Sequence, residues 1–380
     1  MDSSNVATIP AAVVTKRAKT SRRATRFAVV GSGWRATAFI RMAYLMPDRF
    51  ELVGVVTRRE ETAAQLERDW AVATYRTPEE LLAAERPDVV VLSVPWPVTP
   101  ELTRQLVAED VRVLAETPPA PDLDGLRSLW ADVGGSGLVQ VAEQYALMPL
   151  HAARLSIVGQ GLIGAPTSVQ VSSTHLYHVV SLIRTFLGVR FEPATVRSQT
   201  FRSRMVDPIT PSGWTHDTEE KPVESILSTV DFGDAGHGLY DFTDNQWWNP
   251  LRPDHLTVRG SAGEIHDETV VRMADPVTPV VTRIERAMTG HGMNYEGLDL
   301  THLSLGGQIV FRNDYEGARL SDDDIAVATL LDRSGAWARD EGAPPYPLAW
   351  ACQDHCIGLA IEESAASGIA VRTGQEAWSR

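Results

Sequence analysis

Arg26-Phe27-Ala28-Val29-Val30-Gly31-Ser32-Gly33-Trp34-Arg35-Ala36 is the stretch whose reading decides the fold. An apolar run from Arg26 to Val30 ends in glycine, and the residues from Ala36 to Met46 show helical apolar spacing. Gly31 lets the chain turn tightly out of a strand, and Gly33 lets a backbone approach a ligand closely. Ala36 is small enough for the helix to pack on a sheet. A helix that opens here directs unpaired N–H groups and a positive dipole end at whatever lies before it, which suits an anion. A strand, a glycine turn and a helix in this order match the pyrophosphate loop of a dinucleotide fold. Gly31, Ser32, Gly33, Trp34, Arg35 and Ala36 are therefore candidate cofactor-binding residues.

The pattern continues outward. Glu51–Val56 reads as a strand, Glu60–Trp70 as a helix, and Pro87–Val94 as a β-branched run of the kind buried on both faces of a parallel sheet. A helix over Thr99–Ala108, a strand over Val111–Ala115, a helix over Asp122–Val133 and a strand over Leu138–Ala142 follow. Such alternation specifies a doubly wound parallel sheet. After Tyr145 the rhythm changes. Helix Pro149–Val158 leads to strand-like stretches at Thr167–Ser173, Val223–Phe232, Gly238–Thr243, His255–Arg259 and Thr269–Met273, and helices over Asp322–Trp337 and Pro347–Ser367 close the chain. The fold class is α/β: an N-terminal Rossmann domain (26–145) and a C-terminal α+β domain (146–380) with a large, mostly antiparallel open sheet. The C-terminal helix is expected to pack back on the Rossmann domain. Residues 1–25, polar and basic, read as a disordered arm, and Pro208–Pro222 as a loop or lid.

Composition narrows the function. Of 380 residues, 43% are hydrophobic and 22% charged, with a formal net charge of -14. An acidic chain is a poor match for nucleic acid, and no uninterrupted apolar stretch is long enough to span a membrane. Two cysteines form no disulfide framework, which fits the cytoplasm. Cys352, His355 and Cys356 have helical spacing but are too few for a tetrahedral metal site; no metal is expected.

The residues after the second strand bear on which dinucleotide binds. NAD enzymes usually place a carboxylate there for the ribose hydroxyls. Thr57-Arg58-Arg59 instead offers two guanidiniums to a 2′-phosphate, so NADP is the expected cofactor, with NAD the alternative. The opposing view is that both arginines are solvated at a helix start and pair with Glu60 and Glu61.

From Arg26 to about Thr373 the order of motifs resembles the glucose–fructose oxidoreductase / inositol dehydrogenase (Gfo/Idh/MocA) family. The resemblance runs through the glycine loop, Pro87-Asp88-Val89-Val90-Val91-Leu92-Ser93-Val94-Pro95, Ala115-Glu116-Thr117-Pro118 and Val139-Gln140-Val141-Ala142. It continues through Gly161-Leu162-Ile163-Gly164, His178-Val179-Val180-Ser181-Leu182, Gly260-Ser261-Ala262-Gly263-Glu264-Ile265 and Glu363-Ser364-Ala365-Ala366-Ser367-Gly368. It implies hydride transfer between nicotinamide and a hydroxyl-bearing carbon, mostly of sugars and cyclitols. It also implies a homodimer or homotetramer built by pairing the C-terminal sheets. Ser93, Pro95, Trp96, Glu116 and Thr117 would then line the cofactor site.

The active-site pattern of the family is only partly present. Its Glu-Lys-Pro reads Glu116-Thr117-Pro118 here, its Asp four residues before the catalytic His aligns with Thr174, and a further His aligns with Thr99; His178 alone matches. Proton transfer therefore needs other partners, and His178, Tyr177, Tyr145 and Thr117 are the catalytic candidates. Glu143, His175, Trp247 and Trp248 are the candidates for substrate contact, the paired indoles being suited to stacking on a sugar face or to filling a core or interface. His216 and Asp217 in the expected lid are within its reach. The leading reading is an NAD(P)(H)-dependent oxidoreductase of a carbohydrate-like, polyol or ketone substrate. Alternatives are an imine or ketone reductase, redox-assisted glycoside cleavage or epimerisation with tightly held nucleotide, and an inactive nucleotide-binding relative.

Overall fold

The computed structural model describes residues 23–210, 212–289 and 298–379. The chain divides into two compact units, the first comprising 1–152, 286–302 and 311–352 and the second 153–285, 303–310 and 353–380. No helix among the described residues is long and apolar enough to cross a membrane.

In the first unit the elements run β1 (Thr25–Val30), α1 (Trp34–Leu45), β2 (Phe50–Val56), α2 (Glu60–Trp70), β3 (Thr74–Tyr75), α3 (Pro78–Ala84), β4 (Val89–Leu92), α4 (Thr99–Ala108), β5 (Val113–Ala115), α5 (Leu123–Val133) and β6 (Val139–Val141). The strands form one parallel sheet in the order β3-β2-β1-β4-β5-β6. Val89, Val90, Val91 and Leu92 are wholly buried, which is why β4 lacks polar alternation. The order reverses between β1 and β4, the crevice where ligands of such sheets bind. Most of the expected arm, 1–22, lies outside the described residues. Its last residues are ordered: Thr25 opens β1 opposite Phe50, and Arg23 pairs with Asp88 at 3.3 Å.

One late helix completes this unit, α8 (Asp322–Ala338). A boundary at Tyr145 assigns it to the second domain, yet it packs on α1 and β1. A Cβ on Gly335 would sit 2.0 Å from the Thr25 hydroxyl, so helix and strand touch through a glycine. Ser321 caps α8 through a reciprocal capping box with Asp324. Each first-turn acid has its own arginine. Asp322 takes both Nη atoms of Arg286 at 2.8 and 2.6 Å, Asp323 meets Arg35 at 3.3 Å, and Asp324 meets Arg41. Arg35 also binds Glu116 at 2.9 Å.

The second unit holds α7 (Leu176–Leu187) and most of an 11-stranded sheet. Helices α6 (Pro149–Gly159) and α9 (Leu348–Ser367) lie partly in each unit. The strands are β7 (Pro166–Ser172), β8 (Thr195–Val206), β11 (Glu220–Asp231), β12 (His237–Thr243), β13 (His255–Gly260), β14 (Gly263–His266), β15 (Thr269–Asp275), β16 (Thr278–Met288), β17 (Leu300–Leu305), β18 (Gln308–Arg312) and β19 (Val371–Arg372). Their order is β18-β17-β16-β15-β14-β13-β7-β12-β11-β8-β19, and β12 with β7 is a parallel pair among antiparallel neighbours. The expected lid contains a small hairpin of β9 (Ile209–Thr210) and β10 (Gly213–Trp214), then residues 215–219 without regular structure, between β8 and β11, which pair over their full length.

Arg35→Met should remove the shared partner of the largely buried Glu116 and the more exposed Asp323. A loss of about 1–2 kcal/mol in urea unfolding is expected, since solvent screens the Asp323 arm and the Glu116 arm carries most of the effect. An unchanged midpoint would mean the triad carries no stability.

Candidate functional site

The glycine loop has the shape its sequence requires. Gly31 has φ +122°, and a Cβ there would lie 1.8 Å from the Ser93 carbonyl oxygen. Its N–H donates to Val56 at 3.0 Å, and the Ser93 N–H donates to Val30 at 2.8 Å, so the loop is drawn in by strands on both sides. A Cβ on Gly33 would meet nothing within 4 Å. Gly33 caps α1 with no side-chain bond, leaving the first-turn N–H groups open to an anion. Ala36 is fully buried, and Trp34 stands 78% exposed at the helix start. Pro95 accepts from Val98 at 2.9 Å in the turn that carries the half-exposed Trp96.

The Arg35 guanidinium is held by Glu116 and Asp323, with only 12% of its side chain exposed. Burial pulls its pKa down, but the two carboxylates outweigh this and raise it, with Tyr145 contributing. Glu116 also accepts the Thr117 N–H at 3.3 Å. Arg35 and Glu116, both expected at the cofactor site, thus hold each other in place, with Asp323 as a third member.

At the end of β2, Thr57 is buried and its hydroxyl lies 3.3 Å from that of Ser32. Arg58 and Arg59 are exposed, and among the described residues neither forms an ion pair with Glu60, Glu61 or any other acid. A third arginine, Arg76, donates to the Thr57 carbonyl at 3.2 Å. Sequence reading missed it because the pairing of β3 with β2, and not sequence proximity, brings it there.

Glu143 is buried and accepts the Tyr145 N–H at 3.1 Å, fixing the short 3₁₀ turn Tyr145–Leu147 after β6. Gln144 donates to Asp323 at 3.3 Å. The turn is thus tied to the Arg35 network.

The second unit gathers the aromatic candidates. Helix α7 begins at Leu176, so Tyr177 and His178 lie in its first turn and His175 is its N-cap residue. Tyr177 and His178 are buried with ring centroids 4.4 Å apart, and His175 lies 5.4 and 5.5 Å from them. The Trp247 ring meets His175 edge-on at 4.8 Å and Phe242 at 4.6 Å. His355, which shares helical spacing with Cys352 and Cys356, lies edge-on to Tyr177 at 5.6 Å. Burial, then the neighbouring His178, pushes the His175 pKa down to about 4, so its ring is neutral near pH 7. Thr174 is wholly buried.

Trp247 and Trp248 are 43% and 48% exposed, not core residues. The amides around them hold the turn. Gln246 donates to Ser172 O and Oγ at 2.9 and 3.2 Å, and Asn249 donates to Val206 at 2.8 Å. Trp248 makes no ring contact among the described residues. Asp217 is engaged by Lys221 at 2.8 Å, and His216 is exposed with φ +58°. Cys352 and Cys356 are free and buried.

Residues 25–143 match the model of an oxidoreductase family with an NAD-binding Rossmann fold. No curated protein matches the chain by sequence. Among solved structures, a myo-inositol dehydrogenase from Corynebacterium glutamicum ATCC 13032 superposes with a TM-score of 0.63 at 16% identity, over 92% of this chain and 99% of that one. The WlbA dehydrogenase from Bordetella pertussis, in complex with NADH and UDP-GlcNAcA, gives 0.61 at 16% identity over 93% and 99%. GenD2 from gentamicin A biosynthesis, in complex with NAD, gives 0.62 at 19% identity over 95% and 100%. These likenesses establish a shared two-part fold. Over residues 25–143, about a third of the chain, the protein is similar to the Gfo/Idh/MocA oxidoreductases with an NAD-binding Rossmann fold.

Proposed function

We propose that the chain is an NADP(H)-dependent oxidoreductase acting on a carbohydrate-like, polyol or ketone substrate, with His178 and Tyr177 handling the proton. The observation that carries this is the glycine loop. Gly31 has no room for a side chain, Gly33 opens onto free space, and the first turn of α1 has no side-chain cap, so the residues fit a dinucleotide pyrophosphate. Arg58 and Arg59, unpaired among the described residues, support the 2′-phosphorylated form. Bound nicotinamide supplies or accepts hydride at the reacting carbon. Family neighbours that handle inositol and a nucleotide sugar support a hydroxylated ring as substrate.

In this reading His178 holds a proton at the substrate oxygen, and Tyr177, its ring tilted against it at 57°, supports it as a donor. Trp247 and Trp248 give the substrate ring apolar faces to lie on. Thr117 donates a hydrogen bond where the family has an ammonium, and supplies no base. A donor set without that cation suits reduction of a ketone or imine, which needs a proton delivered to the product heteroatom. The buried free thiols support a reducing, cytoplasmic setting, and the broad sheet supports assembly as a homodimer or homotetramer.

His178→Ala should lower kcat by about 10²-fold or more, the usual worth of a general acid or base, while NADPH affinity stays constant. Stereospecifically deuterated NADPH and a panel of ketones, keto-sugars and imines provide the assay. Turnover equal to the parent would remove His178 from the mechanism. A second expectation concerns pH. The unfolded chain protonates His175 near its ordinary pKa, about 6.5, whereas the folded one resists until about 4. Between these values the unfolded state binds more protons, so stability falls as pH drops from about 6.5 to about 4. Urea unfolding of His175→Asn across this window should show a shallower decline than the parent; identical slopes would refute the burial argument.

A further inference from the structure

The adenosine end of the nucleotide site carries more positive charge than Arg58 and Arg59 alone supply. β3 lies beside β2 in parallel register, with Val55 opposite Thr74 and Val56 opposite Tyr75. The residue that follows β3 therefore arrives level with the residue that follows β2. That residue is Arg76. Its Nη1 donates to the Thr57 carbonyl at 3.2 Å, which tethers the guanidinium at the C-terminal end of β2. Its own N–H donates to Glu80 at 2.8 Å, so the backbone of the loop is anchored as well. Among the described residues the Arg76 guanidinium, like those of Arg58 and Arg59, has no ion-pair partner. The hydroxyls of Ser32 and Thr57 lie at the same strand end.

We infer that Arg76 is a specificity-determining arm of the cofactor site, binding the 2′-phosphate of NADPH from the β3 side while Arg58 and Arg59 meet it from the β2 side. The inference rests on the reading of NADP(H) as cofactor. A phosphate monoester offers three terminal oxygens and close to two negative charges, which more than one guanidinium fork can satisfy. The tether to Thr57 restricts a long side chain before ligand arrives, so less conformational entropy is lost on binding. NADH places only a hydroxyl at the same point and gains no charge-assisted bond. Arg76 thus separates the two cofactors instead of strengthening both.

Dissociation constants for NADPH, NADH, 2′,5′-ADP and 5′-ADP, measured on the parent, R76Q and R76K, test this. R76Q should weaken NADPH and 2′,5′-ADP about tenfold, about 1.4 kcal/mol, and leave NADH and 5′-ADP within about twofold. R76K should recover part of the loss, and the salt dependence of NADPH binding should be shallower in R76Q. A parent that binds NADH more tightly than NADPH overturns the cofactor reading itself. A parent that prefers NADPH and keeps that preference in R76Q overturns the role of Arg76 alone. Equal weakening of all four ligands also overturns it, because Arg76 would then act only on the shape of the loop.

Discussion

At the C-terminal ends of β1 and β4 there is no space for a side chain, and much of the first unit follows from that constraint. Gly31 passes so close to the Ser93 carbonyl that even a methyl group would overlap it, and its φ of +122° excludes other residues on conformational grounds as well. The strand order reverses at this point. Because the backbone is forced through such a narrow gap, α1 starts with its N–H groups facing an open crevice. Trp34, at the start of the same helix, is left with little to pack against. The anion site is a consequence of strand spacing before it is a matter of any side chain.

Charge is distributed around that crevice in two different ways. Arg35, inside the loop by sequence, is neutralised by Glu116 and Asp323 and serves to fasten α8 to α1. Arg58, Arg59 and Arg76, at the end of β2, keep guanidiniums without ion-pair partners among the described residues. A guanidinium held by two carboxylates is a firm fastening, since removing it leaves both acids without their cation. An exposed, unpaired one is available for a ligand. Position in a motif therefore says less about the role of an arginine than the acids around it do.

Much of the first unit was legible because its strands are buried on both faces and its helices obey a clear apolar period. The glycine loop, the parallel sheet and the acids after Ser321 are all local signals. The second unit was read less completely. β8 buries few of its twelve side chains, and β16 is mostly exposed, so neither shows the alternation that marks a half-buried strand. The roles of Arg76, Gln246 and Asp323 depend on strand pairing or on partners far away in the chain, which spacing cannot reveal. His175, Tyr177 and Trp247 were legible as chemistry, but their contacts depend on the turn at Asp244–Asn249 folding back onto Ser172 and Val206.

By the resemblance, Thr117 stands where the Gfo/Idh/MocA family has a lysine and Thr174 where it has an aspartate, which removes one charge of each sign. That leaves the balance of charge unchanged while altering what the residues can do. An ammonium stabilises a developing alkoxide through a long-range field; a threonine hydroxyl offers one short-range hydrogen bond. Around α7 the same neutrality prevails. His175 is uncharged near pH 7, and Tyr240, which accepts the Leu176 N–H at 3.4 Å, is pushed up by burial and so remains protonated. Groups of this kind stabilise a transition state best when little charge accumulates on the substrate oxygen. Proton delivery that keeps pace with hydride arrival meets that condition, whereas abstraction ahead of hydride departure does not. On the proposed reading such groups suit the reductive direction, with the proton at His178 as the step on which that chemistry turns.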